Sequence, residues 1–497
     1  MHGRAGLCPW ASPPDAADLS RHGTAANPVL PSDTDFWERR CMAPPQDALE
    51  STAGTITAEA PQVGRPTRRV FGWIPFLLGF LTAVGPVSTD IYLPAFPDLE
   101  QSLHTSAGGA QMTLSVWFVG LAFGQMTMGP LSDRFGRLRP MMIGTVIYTI
   151  ASFGCAMASD IWVFSAFRLI AALGASASLV IPSACVRDIA HGNVAARMMS
   201  QLVLVMGVVP ILAPTIGGLV LQFTSWRSIF WASGVYGLVC IVVLWRVLPE
   251  TLSDDLRQSF SPMALFSRYV FLMRDRAFIT NAMIAGFSAF LSFTYLSAAA
   301  SVFIHVFGFS PAHFGMMFGI FAVGMIGASQ INGMLVGRVD ANRMLTVAIA
   351  MAVVGTLILT GLSVEAVFRM HPDGEALRHL GGGGGAHPIP VVLLWLIIAA
   401  LMISLAPTGI IGPNAMVGAM VNHPRLAGSA AAFIGTLQYV LGAGAGGMIG
   451  SMPSHTPLPM AGTMLMGAVI MAMLAALRPA VPAGAGVAAE DVMPMGH

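Results

Sequence analysis

Two charged residues lie inside long apolar segments, where charge is costly and usually has a function. Asp90 lies within the apolar stretch 72–95, and Arg168 lies within the stretch 161–184. A carboxyl group in a low-dielectric environment can load and release a proton near neutral pH. A buried Arg needs an anionic partner, and Asp90 is the candidate in this half of the chain. We therefore interpret Asp90 and Arg168 as a proton-coupling pair.

Each of these residues also has a purely structural interpretation. Asp90 would be an exposed group at a helix end if Pro94 terminates its helix early. Arg168 follows Ser159 and Asp160 by about two helical turns, so its side chain could extend to the polar end of its segment. The sequence leaves both alternatives open.

Composition identifies the setting in which these charges act. Of the 497 residues, 55% are hydrophobic and only 10% are charged, whereas soluble domains carry roughly 25% charged residues. The mean hydropathy is +0.71. The chain is therefore an integral membrane protein, and its net charge of +1 gives no indication of a nucleic-acid partner.

Motifs for metals, nucleotides and catalysis are missing from the sequence. The cysteines have neither CxxC nor metal-like spacing, so we expect no metal and no cofactor. There is no G-x-x-x-x-G-K-[ST] loop, no HExxH motif and no Ser/His/Asp grouping on facing segments. We therefore expect a protein that is not an enzyme and that uses no nucleotide.

Apolar segments of roughly 20 residues, the length that spans a bilayer, follow one another along the chain. They predict an all-α integral membrane protein with twelve transmembrane helices. The predicted spans are 72–95, 110–131, 140–158, 161–184, 200–222, 228–248, 278–302, 313–335, 343–365, 389–412, 427–450 and 458–477.

Loop charge predicts the orientation of these spans. Arg residues concentrate in the N-terminal segment and in the even-numbered loops, whereas the odd-numbered loops carry only Arg227, Arg369 and Arg378. Because cytoplasmic loops hold the excess of basic residues, both termini are predicted to be cytoplasmic.

A long central loop divides the spans into two sets of six. The predicted regions are a disordered cytoplasmic extension at 1–69, an N-terminal bundle at 70–248, a central cytoplasmic loop at 249–277, a C-terminal bundle at 278–477 and a cytoplasmic tail at 478–497. The loop between the ninth and tenth spans holds Gly381–Gly385, which we interpret as a flexible insert.

The loop after the second span crowds charge into a short turn. It reads Gly-Pro-Leu-Ser-Asp-Arg-Phe-Gly-Arg at 129–137, and Gly129, Pro130 and Gly136 are expected to form the turn. Gly337–Arg343 in the other half is a degenerate copy of this loop. Parallel halves related by such a repeat, around a midplane cavity, are the layout of a secondary transporter.

These motifs support a family resemblance. The string at 129–137 resembles the loop signature of the major facilitator superfamily, and Thr89-Asp90-Ile-Tyr-Leu-Pro94 is similar to the Bcr/CflA subfamily of drug exporters. The strings 186–188, 226–231 and 427–431 are similar to the same subfamily. The resemblance covers about residues 72 to 477 and implies two pseudo-symmetric six-helix bundles, the major facilitator fold.

The resemblance also bears on the two buried charges. The family has an acidic residue at the position of Asp90. Its antiporters carry an Arg-x-x-x-Gly-like signature, linked to proton transfer, at the position of Arg168. Ala171-Ala172 stands where the subfamily usually has Gln-Gly, so this chain departs from the pattern beside Arg168.

A conformational lock on the cytoplasmic side is a further implication of the resemblance. Asp133 would face the positive N-terminus of the eleventh span at Ala427–Ser429, and Arg134 or Arg137 would pair with Asp188. The alternative is that these charges only mark topology and form the turn. The residues of this predicted gate are Gly129, Asp133, Arg134, Gly136, Arg137 and Asp188.

Small residues and prolines cluster in the fifth span and predict a bent helix that its neighbours approach closely. The string 213–218 is similar to a signature of the superfamily's antiporters, where it is linked to export rather than uptake. Generic membrane packing is the alternative. The residues of this cluster are Gly207, Pro210, Pro214, Gly217 and Gly218.

Polar and aromatic side chains in otherwise apolar spans are candidates for a substrate cavity. Each of them can equally form an interhelical hydrogen bond or lie at the membrane interface. These candidates are Tyr92, Trp117, Gln125, Tyr295, Asn332, Asn414 and Gln438.

Together these features predict a monomeric, proton-coupled secondary transporter in a bacterial inner membrane. It would export small drug-like molecules by drug:proton antiport with alternating access. Its partners would be the lipid bilayer, protons and the small-molecule substrate. The alternatives are an exporter of a specific metabolite such as a sugar or an amino acid, an uptake symporter, and a non-transporting membrane scaffold.

Overall fold

The computed structural model describes residues 68–106, 108–190, 192–257, 262–370, 390–423, 426–452 and 456–479. Residues 1–67 of the predicted extension, the Gly381–Gly385 insert and residues 480–497 of the predicted tail lie outside this described part. The boundaries predicted for the five regions of the chain stay predictions.

The described chain is almost entirely helical. Its α-helices are α1 (Arg68–Thr82), α2 (Val84–Asp90), α3 (Phe96–Ser102), α4 (Gly109–Phe135), α5 (Leu138–Met157), α6 (Ile161–Ile189), α7 (Gly192–Val220), α8 (Arg227–Val247), α9 (Pro262–Arg274), α10 (Arg276–Ala300), α11 (Pro311–Leu335), α12 (Ala341–Met370), α13 (Val391–Leu405), α14 (Thr408–Met420), α15 (Ala427–Ser451) and α16 (Leu458–Ala476). Short 3₁₀ turns lie at Leu93–Ala95 and Asp254–Leu256, and a π-helical turn lies at Ser301–Val306.

Twelve helical stretches in the described residues are long and apolar enough to cross a membrane, which confirms the predicted number. They are Ile74–Ser102, Gly109–Phe135, Leu138–Met157, Ile161–Ile189, Arg197–Val220, Arg227–Val247, Arg276–Val306, Pro311–Leu335, Ala341–Met370, Val391–Met420, Ala427–Ser451 and Leu458–Ala476. We number them spans 1 to 12. The first contains α1 to α3, the seventh contains α10 and the π-helical turn, and the tenth contains α13 and α14.

Span 1 is interrupted near its middle. Helix α2 ends at Asp90, a turn covers Ile91 and Tyr92, and the chain continues through a 3₁₀ turn into α3. Pro94 lacks an N–H group and so cannot continue the hydrogen-bond ladder of α2. The sequence predicted that this span ends near residue 95, but it extends to Ser102 because Pro94 redirects the helix without ending it.

Small residues allow the helices of the first bundle to pack closely. A Cβ atom on Gly124 of span 2 would overlap the Ser176 side chain of span 4. A Cβ atom on Gly144 of span 3 would lie 2.7 Å from the Gly174 carbonyl oxygen of span 4. Span 4 therefore lies at the centre of this bundle, with the backbones of spans 2 and 3 directly against it.

The two bundles contact each other closely at one end. Glu100 lies there and accepts a hydrogen bond from the Gly108 amide at 2.9 Å, so we call it the Glu100 end. A Cβ atom on Gly108 would overlap the Gly450 carbonyl oxygen of span 11. A Cβ atom on Gly218 of span 5 would lie 2.5 Å from the Pro311 carbonyl oxygen of span 8. Spans 2 and 11, and spans 5 and 8, therefore close this end.

The opposite end carries Arg137, and we call it the Arg137 end. Asp133 at the end of span 2 keeps 44% of its side chain exposed. Gly428 at the start of span 11 has no atom within 4 Å of the position where a Cβ would stand. Among the described residues, the bundles thus contact each other closely at the Glu100 end, whereas Asp133 is half-exposed and Gly428 has open surroundings.

Candidate functional site

Asp90 lies at the C-terminal end of α2, where span 1 is interrupted. Only 6% of Asp90 is exposed, so Pro94 does not leave this residue at an accessible helix end. The adjacent Ile91 carbonyl oxygen lies so close to Gly217 of span 5 that a Cβ there would overlap it. Asp90 is therefore a buried carboxyl group at a break in a membrane helix, with span 5 packed against the break.

Arg168 of span 4 is also buried, with 1% of the residue exposed. Its Nη1 atom donates a hydrogen bond to the Ser88 carbonyl oxygen at 3.0 Å. Its guanidinium carbon lies 4.3 Å from the centroid of the Tyr92 ring and 4.1 Å from that of Trp117. Arg168 is thus held by a backbone carbonyl and two aromatic faces, and does not extend to the end of its span.

The ion pair expected between Asp90 and Arg168 is not formed in this structure. None of the ion pairs found in the described residues, with nitrogen and oxygen within 4.0 Å, joins the two side chains. The physical reason is that the Tyr92 and Trp117 rings occupy positions against the guanidinium and attract it through cation–π interactions. The two residues lie in one bundle but have separate surroundings.

Tyr295 of span 7, in the other bundle, lies within electrostatic range of Asp90. Tyr295 is buried, and its ring stacks on that of Phe318 with centroids 5.5 Å apart. Its hydroxyl group makes no hydrogen bond to the described residues. The sequence named Asp90 and Tyr295 for different roles, and the structure brings them into range of each other across the two bundles.

The predicted gate forms a compact charge cluster at the Arg137 end. Arg137 donates from Nε to Asp188 Oδ2 at 2.8 Å and from Nη1 to Asp133 Oδ1 at 2.5 Å. Nη1 also lies 2.8 Å from Ser132 Oγ. Of the two candidates that the sequence left open, Arg137 is therefore the partner of Asp188. Burial alone would lower the pKa of Arg137. The carboxylates of Asp188 and Asp133 raise it by more, so the pKa of Arg137 lies above its ordinary value.

Sequence reasoning missed Glu250, which completes this cluster. The Glu250 carboxylate accepts hydrogen bonds from the Arg137 amide at 2.7 Å and from the Leu138 amide at 3.2 Å. It therefore caps the N-terminus of span 3, where a negative charge is favourable. Thr251 beside it donates to Asp188 Oδ2 at 3.2 Å. The available signal was a lone carboxylate directly after span 6.

One expectation about the loop at 129–137 was wrong. Gly129 and Pro130 belong to the last turns of α4 and do not form a turn. A Pro is tolerated there because neighbouring groups in a membrane bundle can satisfy the freed carbonyl. Only Gly136, with φ of 85°, reverses the chain. Arg134 does not join the cluster, because its guanidinium lies against the Phe135 ring at 5.1 Å.

Asp133 does not face the N-terminus of span 11 in this structure. Its carboxylate is engaged by Arg137 of its own bundle, and the space beside Gly428 is open. The predicted contact between Asp133 and the start of span 11 is therefore not formed in this structure. The cluster therefore joins spans 2, 3 and 4 of one bundle and the segment after span 6.

The small residues of span 5 form the contact with span 8. The Pro214 carbonyl oxygen lies 2.6 Å from the position of a Cβ on Gly315, and Thr215 Oγ1 donates to the Gly315 carbonyl oxygen at 3.0 Å. Gly207, further along span 5, approaches Ile326 more loosely at 3.3 Å. Pro210 and Pro214 both lie inside α7. Span 5 thus contacts both the break in span 1 and the opposite bundle.

The candidate cavity residues separate into several groups. Tyr92 and Trp117 are fully buried against Arg168, inside the first bundle, so they do not line an accessible space. Asn414 Nδ2 donates to Asn332 Oδ1 at 2.6 Å, which is the interhelical hydrogen bond that the sequence left as an alternative.

Gln125 lies between the two bundles. Its amide nitrogen packs so close to Gly435 of span 11 that a Cβ there would overlap it. The Gln438 side chain is partly buried on the same span. Gln125 and Tyr295 are the candidates that lie at or near the contact between the bundles.

Comparison with known proteins assigns the family. Residues 78–447 match the model of the Major Facilitator Superfamily. The chain is 31% identical to the uncharacterized MFS-type transporter YdgK of Bacillus subtilis (strain 168), over 80% of this chain and 93% of the relative. It is 29% identical to a bicyclomycin resistance protein homolog of Haemophilus influenzae, over 78% of this chain and 91% of the relative.

The fold is also found in solved structures. A crystal structure of a mutant of the nucleoside transporter NupG aligns with a TM-score of 0.61 and 13% identity, over 81% of this chain and 98% of the other. The chain belongs to the major facilitator superfamily. It is a multi-pass membrane transporter with two six-helix bundles, whose partners are the lipid bilayer and a small-molecule substrate.

Proposed function

We propose that this protein exports small drug-like molecules across a bacterial inner membrane in exchange for protons, and that it acts as a monomer and not as an enzyme. The Arg137 end and both termini face the cytoplasm in this proposal. The similarity to a bicyclomycin resistance protein homolog supports drug efflux. The single observation that carries proton coupling is the buried Asp90 at the interruption of span 1.

The surroundings of Asp90 suit a group that exchanges a proton. A permanently ionised carboxylate inside a bilayer needs a cation beside it, but the Arg168 charge is bound by Ser88 and two aromatic rings. Asp90 is therefore free to bind a proton, or to interact with a substrate, without first breaking an ion pair. The proximity of Tyr295, which belongs to the other bundle, supports a role for Asp90 near the contact between the bundles.

Alternating access follows from the two ends. With the Arg137 end in the cytoplasm, the close contacts at the Glu100 end make this the inward-facing state. Substrate would reach the space between the bundles from the cytoplasm while Asp90 releases its proton there. Separation of span 5 from span 8, and of span 2 from span 11, would open the Glu100 end to release the substrate and admit the next proton.

The charge cluster around Arg137 has a matching role in this cycle. It holds spans 2, 3 and 4 together as the first bundle rotates. Closure of the Arg137 end would bring Asp133 towards the N-terminus of span 11, where backbone N–H groups favour a negative charge. The exposed 44% of the Asp133 side chain is the part available for that contact.

Transport by reconstituted protein tests the proposal. Vesicles with an acidic lumen would be given a panel of labelled antibiotics, sugars and amino acids, with wild type and the Asp90→Asn variant. We expect the wild type to accumulate antibiotics as protons leave, and the variant to show at least tenfold less accumulation. Asp98→Asn is the matched control, because Asp98 lies in α3 of the same span but is exposed.

The outcomes separate the parts of the proposal. Full accumulation by Asp90→Asn would exclude Asp90 as the coupling group. Accumulation of a sugar or an amino acid but of no antibiotic would replace drug efflux by metabolite export. Accumulation driven by an alkaline lumen would indicate symport.

A further inference from the structure

A small cavity lies inside the first bundle, beside Arg168 and away from the contact between the bundles. Its volume is about 10 Å³, close to the roughly 10–15 Å³ that a single water-sized particle requires. It therefore has room for one monatomic ion or one water, and for no organic ligand. Its polar lining comes from Ser88, Trp117, Tyr148, Ser152, Arg168 and Ser233.

Hydrogen-bond donors are in excess around this cavity. Arg168 Nε and Nη2 are buried and make no hydrogen bond to the described residues, and the same holds for the indole Nε1 of Trp117. Ser88 Oγ and Tyr148 Oη lie 2.6 Å apart and hydrogen-bond to each other. Four N–H groups, one on Nε, two on Nη2 and one on the indole, thus lack a hydrogen-bond acceptor among the described residues.

The remaining hydroxyl groups can accept hydrogen bonds, but they carry no negative charge. Ser152 donates to the Tyr148 carbonyl oxygen at 2.8 Å, and Ser233 donates to the Ile229 carbonyl oxygen at 2.9 Å. No carboxylate lines the cavity among the described residues. The cavity therefore combines unused donors with an uncompensated positive charge.

Electrostatics leads to the same conclusion. The guanidinium stays protonated in proteins, and burying a charge costs several kcal/mol unless an opposite charge accompanies it. Cation–π contacts with Tyr92 and Trp117 offset part of that cost, but they act on the flat faces of the group. The edge that carries Nε and Nη2 still requires an acceptor.

From this geometry we infer that the cavity is a binding site for a monatomic anion, namely chloride, which acts as the counter-ion of Arg168. A water molecule can accept from two of these donors and donate to the hydroxyl oxygens of the cavity, but it leaves the charge of the guanidinium uncompensated. Chloride accepts from every side and neutralises the guanidinium. The bound ion would connect spans 1, 2, 3 and 4 at the interruption of span 1, and Arg168 would then need no pairing with Asp90.

The first test is thermal unfolding of the purified wild type in sodium chloride and in sodium gluconate of equal ionic strength. We expect chloride to raise the unfolding midpoint saturably, by about 2–4 °C when it exceeds its dissociation constant about tenfold. Bromide should act as chloride does. Equal midpoints in chloride and gluconate would overturn the inference.

Variants locate the effect. Arg168→Gln should abolish the dependence on chloride. Trp117→Phe keeps the ring and removes one N–H donor, so it should raise the half-saturating chloride concentration about tenfold or more. Arg227→Gln is the matched control, because Arg227 also lies on a Trp ring, at 4.4 Å, but outside this cavity. An unchanged chloride response in Trp117→Phe would count against the site.

A direct readout needs no variant. Crystals of the wild type soaked in bromide should show an anomalous difference peak in the cavity, within hydrogen-bond distance of Arg168 Nε or Nη2. Density there without anomalous signal would identify water and refute the anion site, even if Arg168→Gln fails to fold.

Discussion

Removing the charge of Asp188 should destabilise the protein more than removing that of Asp133, although both carboxylates bind Arg137. The Arg137 side chain is 8% exposed, Asp188 is 16% exposed and Asp133 is 44% exposed. Asp188 also presents both oxygens, to Nε at 2.8 Å and to Nη2 at 3.4 Å. The variants to compare are Asp188→Asn and Asp133→Asn.

The structure sets the size of the two effects. Removing one partner of a buried ion pair costs about 3–5 kcal/mol. Asp188→Asn should cost about 2 kcal/mol, less than that range, because the amide keeps one acceptor oxygen and Asp133 still neutralises Arg137. Asp133→Asn removes a half-exposed partner, for which about 0.2–1 kcal/mol is typical. The expected difference in the free energy of unfolding is therefore about 1 kcal/mol or more.

Equilibrium unfolding of the purified protein in mixed micelles, with a denaturing detergent as the variable, measures this difference. The protein has nine Trp residues, so fluorescence can follow the transition. A double-mutant cycle with Arg137→Gln isolates the coupling energy of each pair. The coupling of Asp188 with Arg137 should be the larger of the two.

One result would refute this reasoning. If Asp133→Asn costs as much as Asp188→Asn, then burial does not determine which carboxylate stabilises Arg137. The contact across 2.5 Å with Asp133 would then be the dominant one, and the cluster would depend on its exposed side.

Two further predictions concern glycines. Gly136→Ala should lower the free energy of unfolding by about 1–2 kcal/mol, because φ is 85° there and a Cβ would overlap the Glu250 carboxylate. Gly129 lies in an uncrowded helical position with its nearest atom 4.0 Å away, so Gly129→Ala should be neutral or slightly stabilising. Equal losses of unfolding free energy in the two variants would contradict the assignment of the turn to Gly136. Gly218→Ala should increase the reactivity of cysteines placed at the Glu100 end towards a membrane-impermeant reagent, because the added Cβ would push Pro311 away. Gly327 has open space around it, so Gly327→Ala should leave this reactivity unchanged. Unaltered labelling in both variants would show that the contact between Gly218 and Pro311 does not control closure.

The state captured by the structure explains why one predicted contact is missing. Asp133 and Gly428 would approach each other only if the bundles closed at the Arg137 end, and here they close at the Glu100 end. The charged residues of a transporter sequence form contacts in all of its conformational states, whereas one structure shows the contacts of one state.

Sequence alone determined the membrane architecture. Twelve apolar segments in a chain with 10% charged residues leave no other way to satisfy the backbone in lipid than helices. The resemblance to the family reduced the partner of Asp188 to two candidates, Arg134 and Arg137. The carboxylate of Asp90 was identified from the sequence itself, since charge inside an apolar segment is costly.

Only the tertiary structure decided which groups meet. The sequence paired Asp90 with Arg168 as the charges within one bundle, but packing places aromatic rings against the guanidinium and brings Asp90 into range of Tyr295, far away along the chain. Glu250 could not be assigned to the start of span 3, because its capping contact depends on how spans 3 and 6 lie together. Periodicity and charge in the sequence identify the buried charged side chains that need a partner. The path of the folded backbone determines which groups become those partners.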